Sequence, residues 1–292
     1  MKAICGKTCM PIMKYYGGKT LMADWINQYL PRSASAYIEV FAGSLAVGLA
    51  RPAASFEVVN DLDAGVANLY RVLKDQPDAL CNALRFTLQS RAEHECCRSA
   101  ERDRLTGQML ESPVEWARRH LVLVRQAYSG KFSGSWSFVR QSSPNYFHGV
   151  VGLIPPAAAR LRNAVIENLH FKDLIAKYEH LGRTCLWYLD PPYVPETRVT
   201  EQVYRCEMTL AEHELLMQLL QRIDGMVVLS GYRSSLYDQA LSDWMRIEKV
   251  FSCHSSKADG KLKPVRTECL WINPAAVDRL RQEGRFDLAV QR

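Results

Sequence analysis

The chain has 292 residues, of which 48% are hydrophobic and 23% charged, with a net charge of +6, and this composition excludes a largely disordered protein. Nine scattered cysteines contain no C-x-x-C pair, so the sequence argues against a structural zinc site and predicts reduced thiols without bound metal. Residues 1–19 lack an apolar signal-peptide region, and no apolar run reaches the roughly 18 residues of a membrane span; we therefore expect a cytoplasmic protein with no membrane partner.

A glycine-lysine pair marks the N-terminal region, in the run Lys14-Tyr15-Tyr16-Gly17-Gly18-Lys19-Thr20. Its last three residues suggest a phosphate-binding loop. The G-x-x-x-x-G-K-T pattern of such loops, however, requires glycine at position 13, where this chain has Met13. The sequence therefore argues against a kinase or ATPase site here.

Four short apolar runs that end in turn residues predict buried parallel strands, at 36–40, 56–59, 184–189 and 226–230. Helical patterns follow at 45–50, 64–74 and 210–222. Thr209 and Glu212 form a predicted capping box at the start of the last one. This alternation predicts a doubly wound α/β sheet. Two later β-rich runs, 246–253 and 268–272, predict a terminal antiparallel pair.

Small and acidic residues close the first two predicted strands. The first ends in Tyr37-Ile-Glu39-Val-Phe41-Ala-Gly43-Ser44-Leu45, where small residues allow a ligand to approach the backbone closely. The second ends in Asn60-Asp61-Leu62-Asp63. Asp61 is placed to accept the ribose hydroxyls of a nucleoside cofactor, whereas Asp63 suits the N-cap of the next helix.

Residues 76–165 interrupt the alternation, and we interpret them as an inserted domain between 1–75 and 166–292. Segment 77–128 is helix-rich, with breaks near Gly107 and Pro113. Alternating aromatic residues among Gly and Ser at 129–138 predict a β-hairpin, which we place at about 129–148. Twelve basic residues against seven acidic ones give the insertion a net charge of +5. That charge fits a solvated helical surface and a nucleic-acid-binding face equally well.

The strongest chemical signal is Leu189-Asp190-Pro191-Pro192-Tyr193, directly after the third of the four buried strands. Ligands bind at the carboxyl ends of strands in open α/β sheets. Two prolines remove two N–H donors, so the carbonyl groups can face a ligand. Asp190 can accept a hydrogen bond from an amino group, and Tyr193 can stack on a base. The alternative is a surface turn in which the prolines only end the strand.

Asp190-Pro191-Pro192-Tyr193 resembles the D-P-P-Y motif of amino-methyltransferases, and the order of the motifs resembles that of Dam-like DNA adenine-N6 methyltransferases. The resemblance covers nearly the whole chain outside the insertion. It implies a Rossmann-like sheet dependent on S-adenosylmethionine (SAM), with a helical and β-hairpin insertion that recognises DNA. Leu45 departs from the F-x-G-x-G cofactor loop of that family, in which a second glycine usually lies at this position.

Together with the residue types, the resemblance assigns the candidate site. The expected catalytic residues are Asp190, Pro191, Pro192 and Tyr193. Those expected to bind SAM are Tyr15, Lys19, Glu39, Phe41, Gly43, Ser44, Asp61, Phe171 and Asp190. The DNA-binding candidates are Arg125, Lys131, Ser133, Ser135, Trp136, Arg140, Gln141 and Asn145. Phe171 equally suits the core, Trp136 equally suits packing on the insertion's own helices, and His170 is expected to be structural.

The implied function is methyl transfer from SAM to N6 of an adenine flipped out of duplex DNA. We expect a bacterial or phage enzyme associated with the nucleoid, monomeric or homodimeric, and either paired with a restriction endonuclease or solitary. The alternatives are a cytosine-N4 or RNA base methyltransferase and a catalytically silent DNA-binding regulator. An aspartate rather than a serine at position 190 favours adenine over cytosine, and the intact site residues argue against a silent protein.

Overall fold

Seven strands form one sheet in the computed structural model of the chain, which describes residues 9–15, 17–107, 111–127, 130, 132, 134–137, 146–194, 205–252 and 265–285. The strands are β1 Ala36–Glu39, β2 Phe56–Asn60, β3 Val165–Glu167, β4 Cys185–Leu189, β5 Met226–Gly231, β6 Met245–Ser252 and β7 Val265–Ile272. Their order in the sheet is β3-β2-β1-β4-β5-β7-β6.

The sheet is parallel at its centre and antiparallel at one edge. β1 pairs in parallel with β2 and β4, and β4 pairs in parallel with β5. β7 pairs antiparallel with both β5 and β6. The four predicted parallel strands, the terminal antiparallel pair and the doubly wound α/β class are confirmed. Because the strand order reverses between β1 and β4, their carboxyl ends flank the position where such sheets bind ligands.

Twelve α-helices lie in the described ranges. They are α1 Ala23–Gln28, α2 Ala46–Ala50, α3 Ala64–Asp75, α4 Pro77–Arg85, α5 Arg91–Leu105, α6 Pro113–Arg125, α7 Tyr146–Val151, α8 Ile154–Leu161, α9 Phe171–Tyr178, α10 Leu210–Leu220, α11 Ser235–Ala240 and α12 Pro274–Gln282. A 3-10 helix, Glu179–Thr184, precedes β4.

Side-chain caps and prolines set where several helices begin. Thr209 and Glu212 form the predicted capping box of α10. Ser90 and Ser112 cap α5 and α6 by accepting hydrogen bonds from backbone N–H groups. The predicted break between those two helices is confirmed, because α5 ends at Leu105 and α6 begins at Pro113, where proline fits the first helical turn.

Contacts divide the chain into two compact units. The first comprises Met1–Asp24, Gly43–Ala53 and Asp61–Asn168, and the second comprises Trp25–Ala42, Ala54–Asn60 and Leu169–Arg292. Within the first unit, α3 packs on α6 and α8, and α6 also packs on α4 and α5. All of 76–165 lies in this unit, together with residues before it. The predicted domain boundaries stay a prediction.

The hairpin predicted at 129–148 falls largely outside the described residues. Its described part shows an antiparallel bridge between Ala127 and Trp136. Tyr146–Val151 forms α7, so a hairpin can extend no further than residue 145. This helix packs against α4 and buries Val150, and the sequence pattern of alternating aromatic residues did not reveal that contact. In the described part of the chain, no helix is long and apolar enough to span a membrane.

Candidate active site

Polar side chains lie on one face of the sheet at the carboxyl ends of β1, β4 and β5. In parallel strands, paired residues project to the same face, and every second residue shares it. The register pairs Glu39 with Tyr188, and its continuation beyond the Leu189–Leu229 pair sets Asp190 beside Ser230. Glu39, Tyr188 and Ser230 are at most 2% exposed. Buried polar groups of this kind are costly unless they are hydrogen-bonded.

Hydrogen bonds satisfy this polar row. The Tyr37 hydroxyl donates to a carboxylate oxygen of Glu39 at 2.6 Å. Ser230 Oγ lies 3.0 Å from Oδ1 of Asp190 and 3.0 Å from the hydroxyl of Tyr188. Ordinary sheet cores are apolar, so a hydrogen-bonded polar row at the reversal of strand order indicates a binding site.

The Asp190-Pro191-Pro192-Tyr193 segment follows β4 directly, as expected from the sequence. Asp190 is half-buried and Pro191 is buried. Because neither proline has an N–H group, the segment presents carbonyl acceptors and a carboxylate at the end of the strand. Acceptors of this kind suit the hydrogens of an amino group. The individual roles of the four residues stay predictions.

Tyr193 is held by two residues that the sequence did not single out. Its ring stacks on Tyr232, with ring centroids 4.2 Å apart and planes 27° apart. Its hydroxyl donates to the carboxylate of Glu268, at 3.3 Å from one oxygen and 3.5 Å from the other. Glu268 is 2% exposed. The aromatic surface expected to receive a base therefore already contacts another aromatic ring.

Phe41 and Phe171 lie near each other in the second unit, with ring centroids 6.1 Å apart. Phe171 is 3% exposed and is the first residue of α9. His170 is the N-cap of that helix, because its Nδ1 accepts the backbone N–H of Lys172. The expected structural role of His170 is thus observed, and the two phenylalanines form an aromatic pair that fits either the core or a planar ligand.

The N-terminal element and the loop after β1 meet within the first unit. A Cβ atom on Gly43 would lie 3.2 Å from the Tyr15 ring, and one on Gly18 would lie 3.0 Å from Oγ of Ser44. Gly43 has φ +45, a conformation that L side chains rarely adopt. Two predicted cofactor elements, separate in sequence, are therefore packed together. Lys19 is 3% exposed, and its ammonium donates to the Gly17 carbonyl oxygen at 3.4 Å.

Leu45 has a left-handed backbone conformation, which glycine adopts more readily than leucine. Its φ of 56 is in the left-handed region, the only such non-glycine value among the described residues. Its side chain is 1% exposed. The left-handed conformation costs a non-glycine residue about 1–2 kcal/mol, whereas burying a leucine contributes roughly 1.5–3 kcal/mol. Burial of the side chain therefore offsets the cost of this backbone conformation.

Asp61 ties the end of β2 to the loop after β1. Its carboxylate accepts the backbone N–H of Gly43 and that of Asp63, both at 2.8 Å. Burial, and next the charge of Asp63, raise the pKa of Asp61 from 3.8 to about 7, against the lowering effect of the two backbone hydrogen bonds. Asp63 caps α3 by accepting the N–H of Gly65, as its position in the sequence suggested.

Of the DNA-binding candidates, Arg125, Ser135 and Trp136 lie in the described ranges, whereas Lys131, Ser133, Arg140, Gln141 and Asn145 lie outside them. Arg125 donates to the Ile12 carbonyl oxygen at 2.8 Å. The Trp136 indole N–H donates to Gln126 at 3.3 Å, and the Arg91 guanidinium lies 4.9 Å from the ring centre. Trp136 thus packs on its own helices, which was one of its two predicted roles. Ser135 is exposed.

Six of the insertion's arginines are bound inside the first unit. Three of them donate to backbone carbonyl groups: Arg98 to Gly134, Arg125 to Ile12, and Arg160 to Gly48 and Arg51. The other three pair with carboxylates: Arg104 with Glu101, Arg118 with Glu93 and Glu115, and Arg119 with Glu111 and Glu115. Four others, Arg85, Arg91, Arg102 and Arg162, are exposed. Much of the positive charge therefore stabilises helices, and these four remain available to a polyanion.

Open α/β sheets bind ligands at a reversal of strand order, and this chain has a buried polar row at that place. Residues 15–257 match the family described as D12 class N6 adenine-specific DNA methyltransferase. The chain is 24% identical, over 280 residues, to the Type II methyltransferase M1.LlaDCHI of Lactococcus lactis subsp. cremoris, covering 90% of this chain and 95% of that relative. It also matches the solved rRNA methyltransferase aviRa of Streptomyces viridochromogenes, with a TM-score of 0.35, 15% identity, and coverage of 96% and 90% of the two chains.

The family match spans most of the chain, which therefore belongs to the D12 class of N6 adenine-specific DNA methyltransferases. The expected family and enzyme class are confirmed. Adenine in DNA is accordingly the substrate, in place of the alternatives of cytosine, an RNA base or a silent regulator.

We predict that Gly43→Ala destabilises the protein more than Gly107→Ala. Both glycines have positive φ, so each variant incurs about 1–2 kcal/mol of backbone strain. Of the two, only Gly43 lies against a side-chain ring, that of Tyr15. The methyl group of alanine at position 43 should therefore lower the free energy of unfolding by about 1–3 kcal/mol more. Urea unfolding of both variants measures the difference. Equal losses would show that the contact with Tyr15 is not tight.

The buried carboxyl group of Asp61 should make the stability of the protein depend on pH. The pKa of Asp61 is higher in the folded chain, about 7, than its ordinary value of 3.8. The folded state therefore holds this proton more tightly, and the stability that it contributes is complete below pH 4 and lost as pH rises through 7. Between pH 5 and pH 8, wild type should lose up to about 3 kcal/mol more than Asp61→Asn. Parallel curves of unfolding free energy against pH would contradict this.

Proposed function

We propose that this chain transfers a methyl group from SAM to N6 of an adenine flipped out of duplex DNA. The observation that carries the proposal is the position of Asp190-Pro191-Pro192-Tyr193, at the carboxyl end of β4 and at the reversal of strand order. Membership of the family identifies adenine in DNA as the substrate. The segment supplies acceptors for an amino group and an aromatic ring for a base.

The residues present fit SAM. In the first unit, Tyr15 packs tightly on Gly43, and Asp61 offers a carboxylate of the kind that accepts ribose hydroxyls. Lys19, in the first unit, is a buried cation of the kind that binds a carboxylate, and Glu39, in the second unit, is a buried anion of the kind that binds an ammonium group. We assign SAM binding to these five residues with Phe41, Ser44, Phe171 and Asp190. When bound, SAM supplies an electrophilic methyl group on a sulfonium sulfur.

Asp190 and the carbonyl group of Pro191 each accept one hydrogen of the adenine N6 amine in this proposal. The lone pair of that amine is delocalised into the ring, so the free base is a poor nucleophile. Two acceptors draw the nitrogen toward tetrahedral geometry and stabilise the positive charge that develops on it. Positioning supplies much of the remaining acceleration. The methylated amine is acidic and loses its proton afterwards, so Asp190 need not act as a base before transfer.

Tyr193 provides the stacking surface for the flipped base, an interaction worth about 1–3 kcal/mol. Because Tyr232 already covers part of that ring, a base that stacks on Tyr193 either takes the opposite face or displaces Tyr232. In the first case Tyr232 supports the Tyr193 ring from behind, and in the second case the base takes the place of Tyr232. We therefore propose that Tyr232 determines which face of Tyr193 the base can use.

Flipping a base out of a duplex costs a few kcal/mol, and phosphate contacts offset that cost. Helix α5 presents Arg91, Arg98 and Arg102 on one face, since they are seven and eleven residues apart. Arg98 donates to the Gly134 carbonyl and Arg91 lies over Trp136, so this face adjoins the described part of the predicted hairpin. We propose that α5 and the hairpin together bind duplex DNA.

The test of the proposal is direct. The protein is incubated with tritiated SAM and mixed-sequence duplex DNA, which is then digested to nucleosides. We expect label on N6-methyldeoxyadenosine. Asp190→Ala should lower the rate at least about 10²-fold. SAM binding, measured by calorimetry, should weaken much less, because the other assigned residues still contribute to it. Asp224→Ala, which removes an exposed carboxylate paired with Arg183, is the control for surface charge. Label on N4-methylcytosine, or no label where DNA binds, would overturn the proposal.

The DNA-binding face is tested by two arginines of the same helix. Arg102 is exposed, whereas Arg104 pairs with Glu101 at 2.8 Å and lies 4.1 Å from the Trp116 ring centre. Arg102→Gln should reduce the slope of log affinity against log salt by about 0.9 and leave the melting temperature unchanged. Arg104→Gln should lower the melting temperature and leave the slope. An unchanged slope in Arg102→Gln would remove α5 from the proposed interface.

A further inference from the structure

Two buried hydroxyl groups on neighbouring strands are hydrogen-bonded to each other, and one of them contacts Asp190. Ser230, on β5, lies 3.0 Å from Oδ1 of Asp190 and 3.3 Å from the carbonyl oxygen of Leu189. The hydroxyl of Tyr188, on β4, lies 3.0 Å from Oγ of Ser230. Tyr188 is 1% exposed and Ser230 is fully buried. Water therefore has no access to the hydroxyl of Ser230.

The chemistry of the three groups fixes the direction of these hydrogen bonds. Carboxylate and carbonyl oxygens only accept, so Ser230 must donate its single hydrogen to Oδ1 of Asp190 at 3.0 Å, or share it with the more distant carbonyl oxygen of Leu189 at 3.3 Å. Ser230 then cannot also donate to Tyr188. The Tyr188 hydroxyl is consequently the donor to Oγ of Ser230. The result is a chain of two hydrogen bonds that ends on one defined oxygen of Asp190.

Packing alone gives no reason for these hydroxyl groups. The remaining described residues of β4 and β5 before Ser230 are apolar, and every residue of both strands is buried. Alanine at position 230 and phenylalanine at position 188 would fill nearly the same space without a polar group to satisfy. The hydroxyl groups lie in the two strands that end at the proposed methyl-transfer site.

We propose that Tyr188 and Ser230 are positioning residues that fix the rotation of the Asp190 carboxylate for the N6 amine. This inference rests on the proposed function of Asp190. With Oδ1 held by Ser230, the carboxyl plane has one orientation, and Oδ2 keeps a fixed direction from the end of β4. Neither hydroxyl needs to touch the substrate. Small misplacement of a reacting group is expensive, and an error of about 1 Å can cost 10²-fold in rate.

A positioning role predicts an effect on turnover rather than on binding. Ser230→Ala should lower kcat about tenfold and change the KM values for DNA and SAM by less than about twofold. Ser230→Thr keeps the hydroxyl group and should recover most of kcat. Tyr188→Phe removes one oxygen and should lower kcat about threefold. Because Tyr188 acts through Ser230, the double variant Tyr188→Phe/Ser230→Ala should be no slower than Ser230→Ala alone.

The matched control is Tyr237→Phe. Tyr237 is also buried, and its hydroxyl pairs with Nδ1 of His213 at 2.9 Å instead of with Ser230. Its loss measures the effect on stability of removing a buried tyrosine hydroxyl, and kcat should stay within about twofold of wild type. Melting temperatures of all variants are measured in parallel, and kcat is measured well below the lowest of them.

The outcomes separate the two proposals. Wild type that methylates no adenine would overturn the proposed function itself. Active wild type with full kcat in Ser230→Ala would overturn only the positioning role. A raised KM for SAM at unchanged kcat in Ser230→Ala would also overturn that role, since Ser230 would then serve binding. If the losses of kcat in the two single variants added up in the double variant, Tyr188 would not act through Ser230.

Discussion

The parallel register of β1, β4 and β5 is the constraint on which the proposed catalytic site depends. It sets Glu39 beside Tyr188 and Asp190 beside Ser230 on one face of the sheet. A shift of β5 by one residue would turn Ser230 to the opposite face and leave Leu229 facing Asp190. That register is held by ladder hydrogen bonds and by the burial of apolar residues on both faces. The hydrophobic core of the second unit therefore determines the geometry of its polar residues.

In the first unit, the predicted cofactor loop is held in place by contacts that meet at Gly43. Its N–H group donates to the Asp61 carboxylate, its carbonyl oxygen accepts the Tyr70 hydroxyl at 2.7 Å, and a Cβ atom added to it would lie 3.2 Å from the Tyr15 ring. Three parts of the chain thus meet at one residue without a side chain. The Asp61 carboxyl group that closes this arrangement is buried, which explains why its pKa is raised although two N–H groups donate to it.

Local patterns predicted the local structure. Apolar runs located the four parallel strands, and Thr209 with Glu212 located the start of α10, because strand burial and helix caps depend on residues that are close in sequence. The sequence also placed Asp61 and Asp190 directly after strands, and their roles stay predictions. It did not reveal the contact of Ser230 with Asp190, or those of Tyr232 and Glu268 with Tyr193. These contacts depend on register and on pairing across 39 to 75 positions, although a serine at the end of an otherwise apolar strand was a usable signal.

The partners of the charged residues in 76–165 could not be predicted from the sequence either. Counting residues in 76–165 gave a net charge but not the positions of the partners. Arg125 binds a carbonyl group 113 positions away, and Arg160 binds one 112 positions away. No pattern within a helix indicates such acceptors. Only the structure separates the arginines that hold the fold from those that face solvent.

Leu45 has a consequence for the affinity of the loop for a ligand. A leucine in the left-handed conformation stores strain, and it persists only where the surrounding packing leaves it no alternative. The packing around the buried side chain accordingly holds Leu45 in this backbone conformation. A preorganised backbone loses little conformational entropy on binding, so more of the contact energy appears as affinity. If the loop binds SAM as proposed, the entropic cost of ordering it at Leu45 is met during folding instead of during binding.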